Sequence, residues 1–230
     1  IPPRVDPSDV LLSYKGKLSE LPAGSKVGSS SLRRRAQLLH IRPDLQFEDL
    51  RGNLDTRINK LQAGEYDAIV VAYAGLHRLK WNRDKAGEGL SEQPVMEKLP
   101  FDICLPAVGQ GALAVQIREN DHRIIDIVSK LDDYLTRAAV DAERSLLAAL
   151  GGGCQTPVAA LAIPKGSNLV LSAMVADLNG QTIVRATEMD RQTNAEALGR
   201  RTAQVLLDSG AKEILQKVAE QPKPDNIGAA

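Results

Sequence analysis

The chain has 230 residues, 43% of them hydrophobic, and its 29 Lys and Arg balance 29 Asp and Glu. That length suffices for one large or two small domains with real cores, and neutrality argues against bulk nucleic-acid binding, so any arginine-rich stretch is a local concentration suited to a small ligand. No apolar run is long enough to cross a bilayer and no charged-then-apolar leader opens the sequence, so neither nucleic acid nor membrane is an expected partner and the expected location is cytoplasmic.

Residues Ile1 to Asp9 are proline-rich and extended and begin without Met, more like a connector than a natural start, so a preceding segment is expected. From Val10 to about Cys104, short apolar runs (Lys26–Gly28, Gln46–Leu50, Ala68–Ala72) alternate with amphipathic helices, which predicts an α/β domain with a largely parallel sheet. Ligands of such sheets gather at the strand C-terminal ends. Two of those ends carry unusual charge.

After Ser31, the residues Leu32, Ala36 and Leu39 mark one face of a helix that Pro43 stops, which places Arg33 and Arg34 in its first turn. Asn53 can cap a second helix bearing Leu54, Ile58 and Leu61, with Gly64 at its end, and Arg51 and Arg57 flank its start. Cations at a helix N-terminus oppose the macrodipole at a cost of about 0.3–1 kcal/mol each. The repetition makes sense if an anion sits between backbone N–H groups and guanidinium forks, a polyanion cradle; a solvated basic face is the plainer alternative. Arg78, just beyond the strand Ala68–Ala72, either faces the same crevice or is a surface helix arginine.

Trp81 to Leu99 is polar and predicts a surface excursion. Leu105-Pro-Ala-Val-Gly-Gln-Gly-Ala112 is neither a dinucleotide fingerprint nor a P-loop and suits a hinge leading into an apolar strand, Leu113–Ile117. Helices are predicted over Ile124–Leu131 and Arg137–Leu150, then strands over Val158–Ile163, Leu169–Ala176 and Thr182–Ala186 with a turn at Asn179-Gly180, then helices over Asn194–Leu207 and Lys212–Val218. Gln221–Ala230 suits a frayed tail. Cys104 and Cys154 lie outside any metal spacing, and His40, His77 and His122 are scattered, so no metal is expected. Cys154 follows three glycines, which leaves its sulfur open to close approach; a reactive thiol and an ordinary glycine-capped helix end both fit.

These residues resemble the porphobilinogen deaminase (hydroxymethylbilane synthase) family of tetrapyrrole biosynthesis. The resemblance rests on Ile1-Pro-Pro-Arg-Val-Asp-Pro7, Val27-Gly-Ser-Ser-Ser-Leu-Arg-Arg34, Leu50-Arg-Gly-Asn-Leu-Asp-Thr-Arg57, Gly64-Glu-Tyr-Asp-Ala68, Ala74-Gly-Leu-His-Arg78, Leu105-Pro-Ala-Val-Gly-Gln-Gly-Ala112 and Gly152-Gly-Cys-Gln-Thr-Pro157, in family order. It implies a dipyrromethane cofactor held by Cys154 as a thioether, which primes addition of four porphobilinogen molecules to give hydroxymethylbilane and ammonia. By family position, Ser31, Arg33, Arg34 and Arg57 bind cofactor carboxylates, Arg51 and Arg57 serve the incoming substrate, and Arg78 serves the lengthening chain. Each pyrrole carries an acetate and a propionate, so every added ring brings two carboxylates that need partners as they leave water.

The resemblance also implies periplasmic-binding-protein-like α/β domains, a small C-terminal α+β domain with a three-stranded antiparallel sheet, and a monomer. On that map residues 1–9 are the connector, 10–105 the second domain, 106–135 the hinge and return segment of the first, 136–219 the cysteine-bearing third, and 220–230 a tail. The family's catalytic aspartate belongs to a Lys-Asp pair upstream of the connector, so none is assignable here and the chain alone is expected to be inactive or aggregation-prone. A reversible carboxylate-binding module and a non-functional fragment of the enzyme are the alternatives.

Overall fold

The computed structural model describes residues 1–81, 93–152 and 156–220. The expected tail, Cys154 and most of the polar excursion after Trp81 lie outside the described residues.

The first strand, β1 (Asp9–Ser13), is buried along its whole length. Only its first residue, Asp9, belongs to the expected connector, and the sequence pattern marks no strand over the rest. It sits inside a five-stranded sheet of order β3-β2-β4-β1-β5, made with β2 (Lys26–Gly28), β3 (Gln46–Glu48), β4 (Ala68–Ala72) and β5 (Val95–Lys98). The β3-β2-β4 portion is parallel, with Val27 opposite Phe47 on one side and Ala68 on the other. On the other flank β1 runs antiparallel to both β4 and β5. The stretch from Trp81 to Leu99 is therefore more than a surface excursion. Its end, Val95–Lys98, is an edge strand whose partner β1 lies far back in the chain, a pairing that local spacing does not announce.

Side-chain alternation distributes the sheet between two cores. Leu11, Val27, Ala68 and Val70 face one side, where Leu38 of α1 (Leu32–Ile41) covers them. Val10, Leu12, Ile69 and Val71 face the other, under Ile58 and Leu61 of α2 (Leu54–Gln62) and Leu76 of α3 (Tyr73–Arg78). A sheet covered on both faces needs continuous apolar strands, which Val10-Leu-Leu12 and Ala68-Ile-Val-Val71 provide. Because β2 leads outward to β3 and β3 leads back across it to β4, α1 and α2 lie on opposite faces. Their N-termini share the sheet edge beyond the C-termini of β2 and β3.

Residues 113–117 form no strand. Leu113 and Val115 are 52% and 47% exposed, and among the described residues no strand offers them a ladder, so alternation alone does not make one here. The short α4 (His122–Val128) follows with no buried residue.

The C-terminal part is α+β, as expected. A three-stranded antiparallel sheet of β6 (Val158–Lys165), β7 (Asn168–Ala176) and β8 (Ile183–Arg191) carries α5 (Tyr134–Ala149), α6 (Ala195–Leu206) and α7 (Lys212–Glu220) on one face. Its other face, through Ala159, Leu161, Met174 and Ala176, packs on Ala36 of α1 and on Leu105. The hairpin loop after β7 touches α1 at Gly180. Gly180 has φ +69°, and a Cβ there would lie 2.2 Å from the Ala36 carbonyl oxygen.

Candidate functional site

Three helices begin at the same sheet edge. Ser31 caps α1, its Oγ accepting from the Arg34 N–H at 3.4 Å, and Asn53 caps α2, its Oδ1 accepting from the Thr56 N–H at 2.9 Å. Such caps contribute on the order of 1 kcal/mol each. The loop between β2 and α1 is tied down by its serines. Ser30 Oγ donates to the Leu50 carbonyl and accepts from the Leu50 N–H, both at 3.0 Å, and the Ser29 N–H donates to the Glu48 carbonyl at 2.9 Å. The two helix starts are thus stitched together before any ligand arrives.

The arginines of this edge fall into two sets. Arg33 and Arg34 are 4% and 8% exposed and converge on Asp9, which is fully buried. Arg33 Nη1 donates to Asp9 Oδ2 at 2.6 Å and to the Leu105 carbonyl at 2.7 Å. Arg34 reaches Asp9 Oδ1 with Nε at 2.9 Å and Nη2 at 2.7 Å, and its Nη1 donates to the Val70 carbonyl at 3.0 Å. Burial pushes the Asp9 carboxyl up, but the two guanidinium charges overcome it and hold the group well below the usual carboxylate range. The first turn of α1 thus carries its own internal anion.

The second set has no such partner. Arg57 is half-buried, and its Nε donates to the Gly52 carbonyl at 2.9 Å. Among the described residues no carboxylate pairs with it. Burial and then repulsion from Arg34 lower its affinity for the proton, the condition of a cation lacking a counter-ion. Arg51 makes only an exposed 3.4 Å pair with Asp49, of little energetic weight. Arg78 is exposed, and its Nη2 donates to the Gly111 carbonyl at 2.7 Å, which ties the end of α3 to the glycine-punctuated segment. Ser31 thus caps the turn that carries Arg34, and Arg34 is near enough to Arg57 to repel it, while Arg51 is exposed.

Two residues not singled out from sequence turn out to build the site. Asp9 is one and Gln110 is the other. Gln110 Nε2 donates to Asp9 Oδ1 at 2.9 Å and to the Pro7 carbonyl at 2.6 Å, while its Oε1 accepts from Arg33 Nη2 at 3.4 Å. The signal for Asp9 was an acid opening an apolar run, in a chain with three adjacent arginines, Arg33 to Arg35, elsewhere. The hinge around Gln110 lies beside the connector. The Val5 N–H donates to the Gly111 carbonyl at 3.2 Å, and a Cβ on Gly111 would meet the Val5 oxygen at 2.4 Å. Arg4 anchors the connector through Nη1 and Nη2 on Glu143 at 2.6 and 3.1 Å, and Glu143 also accepts from the N–H groups of Gly109 and Ala162.

Chemically this edge offers helix N–H groups, a capping hydroxyl and an unpaired guanidinium, a set suited to carboxylates. Residues 1–126 match the family model described as porphobilinogen deaminase, dipyromethane cofactor binding domain, and residues 137–208 match that of the porphobilinogen deaminase C-terminal domain. The chain belongs to the porphobilinogen deaminase family. Among its relatives, a porphobilinogen deaminase of Moorella thermoacetica is 48% identical over 222 residues, covering 96% of this chain and 68% of the relative. One from Desulforudis audaxviator is 50% identical over 213 residues, covering 92% and 66%. One from Geobacillus kaustophilus is 45% identical over 219 residues, covering 95% and 67%. The chain thus spans about two thirds of the length of these family members. The cofactor-binding family model covers every arginine of the edge, whereas Cys154 falls within the C-terminal match. No helix among the described residues is long and apolar enough to cross a membrane.

Proposed function

We propose that this chain binds carboxylate-bearing pyrroles at the shared helix edge and takes part in the stepwise condensation of porphobilinogen into hydroxymethylbilane with loss of ammonia. The observation that carries the reading is Arg57, a half-buried cation near Arg34 with no carboxylate of its own among the described residues. The donor set fits a dipyrromethane, whose acetate and propionate groups are the anions such guanidiniums take up bidentately. Joined through Cys154, that group would supply a nucleophilic pyrrole α-carbon as primer. In this reading Ser31, Arg34 and Arg57 hold ring carboxylates and Arg51 meets the incoming substrate at the rim. Arg33, committed to Asp9 and Leu105, supports Arg34 from behind, and Arg78 flanks the path of the growing chain beside the hinge.

Positive charge on pyrrole nitrogens calls for a nearby carboxylate. The acid closest to the arginines, Asp9, is fully buried and already engaged by them. We therefore assign the proton-handling carboxylate to none of the described residues, and bilane formation by these residues alone is not expected. That same feature favours a second reading, a reversible carboxylate-binding module. Intact mass of the purified chain beside its Cys154→Ala variant separates the two. A gain of two linked pyrroles on the wild type only supports the deaminase reading. An unmodified mass, with a free thiol and reversible porphobilinogen binding, supports the module.

A further inference from the structure

We infer that Asp9 is a positioning residue of the anion site: it fixes the Arg34 guanidinium in its ligand-receiving orientation, with Arg33 braced behind it, before any ligand is bound. The inference rests on the carboxylate-site reading above and deepens it.

Asp9 opens β1 opposite Ala72, at the sheet edge where α3 begins, and its side chain is fully buried. Five donors surround its two oxygens. Oδ1 accepts from Arg34 Nε and Gln110 Nε2, both at 2.9 Å, and Arg34 Nη2 lies in ion-pair contact with it at 2.7 Å. Oδ2 takes Arg33 Nη1 at 2.6 Å and the Cys104 thiol at 3.3 Å. A carboxylate has roughly four lone-pair sites, so it is saturated and has no capacity left for a ligand. Its function must be exerted through its partners.

Arg34 is hydrogen-bonded through Nε to Asp9 and through Nη1 to the Val70 carbonyl, with Nη2 in ion-pair contact with Asp9, which fixes the plane of the guanidinium. Two N–H groups remain uncommitted. Arg34 is also close enough to Arg57 to depress its proton affinity. Without an anchor a guanidinium beside another cation would swing away from it and lose rotamer entropy again on binding. The buried carboxylate removes that freedom in advance, which is how preorganisation strengthens binding.

A mere countercharge and a positioning post predict opposite signs. Asp9→Asn raises the positive charge of the edge by one. If Asp9 acts only through its charge, removing that charge tightens binding of an anion. If it positions the forks, binding weakens although the site has become more cationic. The test is calorimetric titration of this chain and its Asp9→Asn variant with porphobilinogen, after circular dichroism shows both folded. The expected result is an affinity about tenfold or more lower in the variant, or about 1.4 kcal/mol. Equal or tighter binding by the folded variant overturns the inference.

Should Asp9→Asn not fold, proton-detected NMR of the wild-type Arg34 Nε–H decides. A slowly exchanging signal before porphobilinogen is added supports prior fixation, and one that sharpens only on addition overturns it. Failure of the wild type to bind porphobilinogen sinks the carboxylate-site reading, and the same NMR signal still decides whether Asp9 holds Arg34.

Discussion

At the scale of single residues, the reactivity of a thiol is set by what surrounds it. Cys104 is fully buried, its thiol donating to Asp9 at 3.3 Å. Burial and then the Asp9 charge push it up to about 12. Because the thiolate is the nucleophile, native Cys104 should resist iodoacetamide at pH 8 and react only after denaturation. Peptide mapping reads this directly, and labelling at the unfolded rate would refute it. The linkage has a definite sign. The folded state binds this proton more tightly than the unfolded state, so the associated stability is complete below about pH 8.5 and erodes as pH climbs toward 12. A Cys104→Ala chain should lack that alkaline slope.

At the scale of elements, close crossings are as informative as caps. Gly199 of α6 lies against α5 so tightly that a Cβ would sit 2.3 Å from the Ala142 carbonyl and 2.8 Å from the Leu146 nitrogen. Backbone cannot yield as a side-chain tip can, so Gly199→Ala should cost about 1–3 kcal/mol despite its better helix propensity. Urea unfolding with an unchanged slope and a lower midpoint would show this; an unchanged or higher midpoint would refute it. Helix starts were legible in the sequence because Ser31 and Asn53 act on N–H groups three residues away. β5 was not, since Val95–Lys98 becomes a strand only through β1, and Leu113–Ile117 has the alternation of a strand without a neighbour to pair with. The site was half legible for the same reason. Spacing placed Arg33 and Arg34 in the first turn of α1, but their direction is set by Asp9, 24 residues away from Arg33 in sequence.

At the scale of the whole molecule, the two sheets meet through α1. Its N-terminal turn is anchored by Asp9, Leu105 and Val70, and its C-terminal turn by the β7–β8 loop, where His40 Nδ1 and the Gly180 carbonyl are 2.7 Å apart. Gly180→Val should lift that loop, because the added atoms have only the Ala36 carbonyl and the His40 nitrogen to occupy. The expected outcome is faster hydrogen exchange over residues 36–41 and a lower melting temperature, measured on the intact chain. Protection identical to wild type would show that the loop is not a support of the helix.

The connector and the hinge have a mechanical consequence. They run side by side, cross-tied by Val5 to Gly111, Arg4 to Gln110 and Gln110 to Pro7. Only the hinge continues as chain from the five-stranded sheet to α5; the connector reaches α5 through Arg4 on Glu143 and Thr136. The joint is therefore a two-ply strap. Bending across its width leaves the cross-ties in register, whereas torsion shears them together. Such a joint is a flexure with one soft direction rather than a ball joint.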